Sequence, residues 1–369
     1  MDFIKHKIFL ITLIFVFSSI CLFANSANHK SDISQFIQNI PKAELHLHIE
    51  GTLEPELLFK LARKNHVSLP YASVEEVKKA YQFTDLQSFL NVYYQGMSVL
   101  KTEQDFYDLT WAYLEKAKEQ NIVHVEIFFD PQAHLANGIE FSTVMNGINK
   151  ALVDAKNKLN ITSNLILCFL RDKSPQDAMS ILEMARPYKN IIIAVGLDSA
   201  EVNNPPVKFK AVFDRARAYG FKTVAHAGEE GPPEYVIQAL DILKVSRVDH
   251  GVRSLESNKL ISRLVAERIP LTVCPISNIK LKVFQSMNEH PLKKMLEKKL
   301  VVTINSDDPA YFGGYLNDNY YALYSSLKLS RKDIYTLAKN SFEASFVDSD
   351  LKAKYIAELD NYYHSTLHN

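Results

Sequence analysis

The stretch Ala43-Glu44-Leu45-His46-Leu47-His48-Ile49-Glu50-Gly51 opens with an apolar run and ends in polar side chains. Residues 43–47 read as a buried strand. On an extended chain His46 and His48, two positions apart, point to the same face. Outward from this stretch the pattern repeats. Short runs rich in β-branched residues recur at 123–129, 165–170, 191–197, 223–227, 247–249, 271–274 and 301–304, which makes eight with the first. Between them, residues 141–159, 175–188, 207–219, 234–243, 258–268 and 290–299 have helical spacing, as crossover helices between parallel strands should. No Gly-rich dinucleotide fingerprint follows an early strand, so the pattern predicts an α/β fold of the closed (β/α)8 TIM-type barrel rather than a doubly wound open sheet. Residues 52–121 are too long for one crossover and read as a helical insertion over the barrel mouth. There Phe83, Phe89, Tyr93 and Tyr94 share one helix face, expected mainly to pack. Residues 318–364 read as C-terminal helices, with Ser330 capping one of them.

Of the 369 residues 47% are hydrophobic, enough to build a large core, and 42 Lys+Arg balance 42 Asp+Glu. That balance offers neither a nucleic-acid backbone nor an anionic membrane a partner and favours a small, weakly polar ligand. At the N-terminus Lys5 and Lys7 precede an apolar run over 8–24, followed by Ala24, Asn25, Ser26 and Ala27, the order of a secretory signal. Residues 1–27 are therefore expected to be a signal peptide and 28–369 one barrel domain, exported to a periplasmic or external space without stable membrane association after cleavage. A retained anchor is the alternative. Cys168 and Cys274 sit in apolar runs and read as buried thiols. Nothing in the sequence speaks to oligomeric state.

In such a barrel the polar residues after each strand face one mouth. Strand five ends in His226-Ala227-Gly228-Glu229-Glu230, strand six in Asp249-His250-Gly251 and strand eight in Ser306-Asp307-Asp308-Pro309. His46, His48, His226 and Asp307 form a nitrogen and oxygen donor set without thiolate, which suits one Zn²⁺ with an open position, while Fe²⁺, Co²⁺ and Mn²⁺ have similar preferences. Glu229 lies close enough to transfer a proton beside the metal, His250 is a candidate base, Asp308 a candidate substrate contact and Glu230 a rim residue.

With these residues in their order, the chain resembles the adenosine and adenine deaminase family of metal-dependent amidohydrolase barrels. The resemblance runs from Pro41 to Pro309. It implies a zinc held by His46, His48, His226 and Asp307, attack of water on C6 of a purine with His250 as base, a proton from Glu229 to N1, and Asp308 at N7. The cytosine-type zinc deaminases need a Pro-Cys-x-x-Cys stretch, which this chain lacks. Two departures bear on substrate. Nucleoside-type members carry Asp where this chain has Glu50, a position implied to contact ribose, and Glu50 reaches one methylene further into the sugar's space. The fourth strand ends Gly196-Leu197-Asp198-Ser199-Ala200-Glu201, not in the nucleoside-type Gly-Asp-Glu. Both departures resemble the adenine branch, as do residues 229–235, 286–291 and 307–314. The expectation is hydrolysis of adenine to hypoxanthine and ammonia in purine salvage. Adenosine deamination and a secreted, non-catalytic purine-binding protein are the alternatives.

Overall fold

The computed structural model describes residues 32–367. The expected signal peptide therefore lies outside the described residues. Residues 32–39 form a short helix, and the barrel unit begins at Ile40. Its strands are β1 (Lys42–His48), β2 (Ile122–Phe129), β3 (Thr162–Leu170), β4 (Ile192–Asp198), β5 (Lys222–Ala227), β6 (Arg247–His250), β7 (Leu271–Val273) and β8 (Val302–Ile304). They pair in parallel, in chain order.

The ring closes where the chain leaving β8 meets β1. Leu47 bridges Asp307. The His48 N–H donates to the Asp307 carbonyl at 3.0 Å and the Asp307 N–H to the His46 carbonyl at 3.1 Å. One residue pair earlier, the Leu45 N–H donates to Asn305 Oδ1 at 2.9 Å. All eight expected strands are present, with bounds shifted by up to three residues at β3. Phe128, Ile166, Cys168, Ala194 and Val224 fill the barrel interior. Beneath them lies a buried ion pair, with Arg247 Nη1 2.6 Å from Glu126 Oε2. Both thiols are buried and free, as expected.

The crossover helices bury one face each. Phe141–Lys158 turns Phe141, Val144, Met145, Ile148, Ala151, Leu152 and Ala155 inward, a 3.6-residue stripe. Other helices are shorter than their pattern suggests. The 234–243 segment is an α-helix to Gln238 and a π turn from Ala239 to Leu243. The 290–299 segment keeps only Leu292–Glu297, with Pro291 at its N-cap and Lys299 in the left-handed region just past its end. The insertion contributes Pro55–Lys64, Val74–Ala80, Leu86–Gly96 and Glu103–Glu119. The third of these starts at a capping box of Asp85 with Ser88 and lies over the mouth. Phe83 packs edge-on against Phe89 and Phe312. Leu316–Leu327, Arg331–Ala344 and Ser349–Ser365 complete the chain, the second capped by Ser330 as expected. Among the described residues no helix is long and apolar enough to cross a membrane.

Candidate active site

β1, β5 and the turn after β8 bring four side chains to one point. The donor atoms of His46, His48, His226 and Asp307 all lie within 4.8 Å of one another, and all four residues are buried. Asp307 Oδ1 is 3.2 Å from His46 Nε2 and 3.5 Å from His48 Nε2. His48 Nε2 is 3.2 Å from His226 Nε2. Behind the cluster each imidazole has its far nitrogen turned to a fixing group. His46 Nδ1 is 3.0 Å from Thr272 Oγ1, and that hydroxyl donates to Asp249 Oδ1 at 2.8 Å, so the His46 ring must donate through Nδ1 and keep a lone pair on Nε2. His226 Nδ1 lies 3.7 Å from Asp249 Oδ2, and His48 Nδ1 3.5 Å from Asp198 Oδ2. Carboxylates behind imidazoles are the usual outer support of a metal site. His46 Nε2 is buried and has no hydrogen-bond partner among the described residues. Three imidazoles and one carboxylate with their donor atoms within 4.8 Å of one another fit a divalent cation. A second grouping of donors includes Cys274, whose thiol burial pushes well up, so it offers a poor ligand.

Two of these strand ends have unusual backbones. His250 has φ 61° and Asp307 φ 65°, the left-handed region that non-glycine residues rarely occupy. Held there, each side chain turns into the mouth instead of continuing its strand. Glu229 Oε2 is 3.5 Å from His250 Nε2. The loop bearing Glu229 is fastened by Glu201, which is buried and accepts the N–H groups of Gly228, Glu229, Glu230 and Gly231 at 2.7, 3.0, 2.8 and 2.7 Å. Glu230, expected on the rim, sits against the insertion, accepting the Leu86 N–H at 3.5 Å. Asp308 is reached only because residue 51 is glycine, since a Cβ there would lie 2.1 Å from Asp308 Oδ1.

Charge states follow from burial and neighbours. Burial, then Asp307, Glu230 and Glu201, push the Glu229 carboxyl well up. Burial and the facing His46 lower His250 to about 3, so it is a neutral imidazole. Burial and then Asp307 raise Asp308 well above the carboxylate range. Burial opposes ionisation of Asp307 too, but His46, His250 and His48 together hold it low.

Phe89, Tyr93, Tyr94 and Phe312 roof a narrow cleft whose floor holds His48, His226, Glu229, His250, Asp307 and Asp308. Three of the four aromatics expected to pack therefore face the site or its wall, and only Phe83 does not. Asp130 and Asp198, at the ends of β2 and β4, line the same cleft, each with a carboxyl oxygen within 4.8 Å of a His48 ring nitrogen. Neither Asp130 nor Asp198 is among the site residues expected from the sequence, although Asp130 directly follows β2, where the strand-end rule would find it. The positioning roles of Glu201, Thr272 and Asp249 have no mark in the sequence. Glu50 requires a correction. It does not line the cleft. Its Oε1 accepts from His134 Nε2 at 2.8 Å and from the Asp130 N–H at 3.1 Å. The cause is local, because Glu50 opens a 3-10 turn (Glu50–Thr52) that leads its side chain behind the wall.

A parallel eight-stranded barrel with its donor cluster at the carboxyl ends of the strands defines the class of metal-dependent amidohydrolase barrels. The family model described as adenosine deaminase matches residues 41–362, and the chain belongs to that family. It is 58% identical over 327 residues to the adenine deaminase of Acinetobacter baylyi, covering 89% of this chain and 98% of the relative. With the adenine deaminase of Crocosphaera subtropica it shares 60% identity over 316 residues, 86% and 97% of the two chains. Among solved structures, the adenine deaminase from Arthrobacter aurescens superposes with a TM-score of 0.86 at 48% identity, over 88% of this chain and 99% of that one. An amidohydrolase from Burkholderia ambifaria with bound Zn gives 0.85 at 26% identity, over 92% and 95%.

Proposed function

We propose that this chain is a zinc-dependent hydrolase that converts adenine and water to hypoxanthine and ammonia, serving purine salvage. The observation that carries the reading is the buried Glu229 carboxyl, 3.5 Å from His250, over a four-residue cradle of metal-ligand type. The high identity to adenine deaminases over nearly their full length supports adenine as the substrate. One Zn²⁺ would be held by His46, His48, His226 and Asp307, a donor set without thiolate, and the zinc in the Burkholderia relative supports that choice.

When bound, the ion supplies a Lewis acid that makes water a competent nucleophile near neutral pH. His250 Nε2, kept unprotonated by burial, takes a proton from the attacking water as oxygen bonds to C6. Glu229, kept protonated, gives its proton to N1, so the electron pair of the C6–N1 double bond is received there. Asp308, with a raised pKa, donates to N7 and holds the ring's register. The amino group then leaves as ammonia with the proton held by His250. The hydroxyl proton on C6 returns to Glu229 as the carbonyl forms, so the residues end as they began. Phe89, Tyr93 and Tyr94 keep bulk water off the ring.

The test is loss of the adenine absorbance band on mixing protein with adenine or adenosine, each with and without a zinc chelator. Chelator-sensitive turnover of adenine is expected. Turnover mainly of adenosine would reverse the substrate assignment, and turnover of neither would make the chain a purine-binding protein at most.

A further inference from the structure

We propose that Asp130 determines specificity for the free base by accepting the N9–H of adenine, a hydrogen that a nucleoside does not have. The inference rests on the proposed function and extends it to the edge of the purine opposite the reacting amino group.

That edge carries an N9–H donor in adenine and a sugar in adenosine, so the two substrates differ at the side of the cleft that meets it. Beside His48 the cleft is lined by the carboxyls of Asp130 and Asp198. Asp198 has its Oδ2 3.5 Å from His48 Nδ1 behind the cradle, and its Oδ1 is also buried without a donor. The Asp130 and Asp198 carboxyls share a hydrogen bond, and Asp130 is the one of the two that forms no ion pair with a cradle histidine among the described residues. It is 1% exposed, and its Oδ1 has no hydrogen-bond partner among the described residues. A buried carboxyl oxygen without a donor costs desolvation energy unless a ligand supplies the hydrogen. An oxygen of this group accepts in either protonation state, so the assignment does not depend on its charge. The rest of the residue is held firmly. Tyr93 Oη donates to Oδ2 at 3.4 Å, the Asp130 N–H is bound by Glu50 at 3.1 Å, and Pro131 follows as the first residue of a helix. Glu50 thus acts on the substrate's far edge at one remove, by setting the backbone of the residue that meets it.

The experiment compares kcat/KM of the zinc-loaded protein for adenine and for 9-methyladenine, which lacks the donor, in wild type, Asp130→Ala and Asp130→Asn. Asp130→Asn keeps the side-chain shape, so relief of crowding against the methyl group cannot mimic the effect, and it also serves if Asp130→Ala fails to fold. Wild type is expected to prefer adenine strongly. Loss of the acceptor, which leaves the N9–H buried and unpaired, should lower kcat/KM for adenine by about 10- to 100-fold in Asp130→Ala while changing 9-methyladenine far less, so that the preference collapses. Asp130→Asn keeps one carbonyl acceptor but can also turn its amide N–H₂ toward the ring, so it should show a smaller collapse in the same direction. An unchanged preference in the folded variants would overturn the assignment of Asp130 alone. Absence of adenine turnover by wild type would overturn the proposed function and this assignment with it.

Discussion

Glu229 sits three positions after a metal-ligand-type histidine, and its usefulness depends on not being a ligand. Glu229→Gln removes the transferable proton and keeps the shape, so it should retain one metal per chain by elemental analysis while kcat falls by about 10²- to 10⁴-fold. Loss of the metal from this variant would mean that the carboxyl belongs to the cradle. Glu50 gives the opposite lesson. Its residue type and place beside His48 were plain in the sequence, but its direction was not, because a single 3-10 turn carries the side chain behind the wall. Shortening it withdraws the acceptor from His134 Nε2 and the Asp130 N–H. Glu50→Asp should therefore lower kcat/KM for adenine without raising it for adenosine, a comparison that the absorbance assay makes directly. A gain on adenosine would return Glu50 to the sugar side.

At the level of elements, the strands were legible because parallel strands buried on both faces read as unbroken β-branched runs. The four cradle residues were legible for a related reason, since each stands at or just past the end of such a run. The supports were not. Glu201 and the loop at 228–231 are far apart in sequence, and only the packing of the β4 and β5 ends makes one carboxylate the acceptor for four consecutive N–H groups. Glu201→Gln puts an amide donor where an acceptor is needed. It should lower kcat by at least about 10-fold through displacement of Glu229, with metal content unchanged and KM for adenine little altered. A fall in melting temperature with kcat intact would show that Glu201 serves stability alone. Helix ends were the least legible elements, since the π turn at Ala239–Leu243 leaves no mark in apolar spacing.

Across the whole molecule, pH acts on the buried pair beneath the core. Burial opposes ionisation of Glu126, yet Arg247 and His124 hold its pKa at about 2, below its ordinary 4.5. A carboxyl lowered on folding contributes stability above its unfolded pKa and loses it as pH falls toward the folded one. The denaturant midpoint should therefore drop as pH falls from 4.5 toward 2, and Glu126→Gln should flatten that stretch of the curve at the cost of lower stability at neutral pH. Removal of the metal acts at the other end of the barrel. Chelation should lower the melting temperature, because an ion bound only by the folded state stabilises it by mass action.

The seam where β8 meets β1 bears on how the chain comes apart. His46 and His48 stand on one side of that seam and Asp307 on the other, with Leu47 bridged to Asp307 between them. An ion held there ties the first strand to the last and turns a linear chain into a loop, in the manner of a cross-link closed over most of its length. To open the barrel at that joint, the chain must first let go of its ion. Dissociation of the metal and the onset of unfolding would then share one rate, and the lifetime of the enzyme under heat would be set at its catalytic centre.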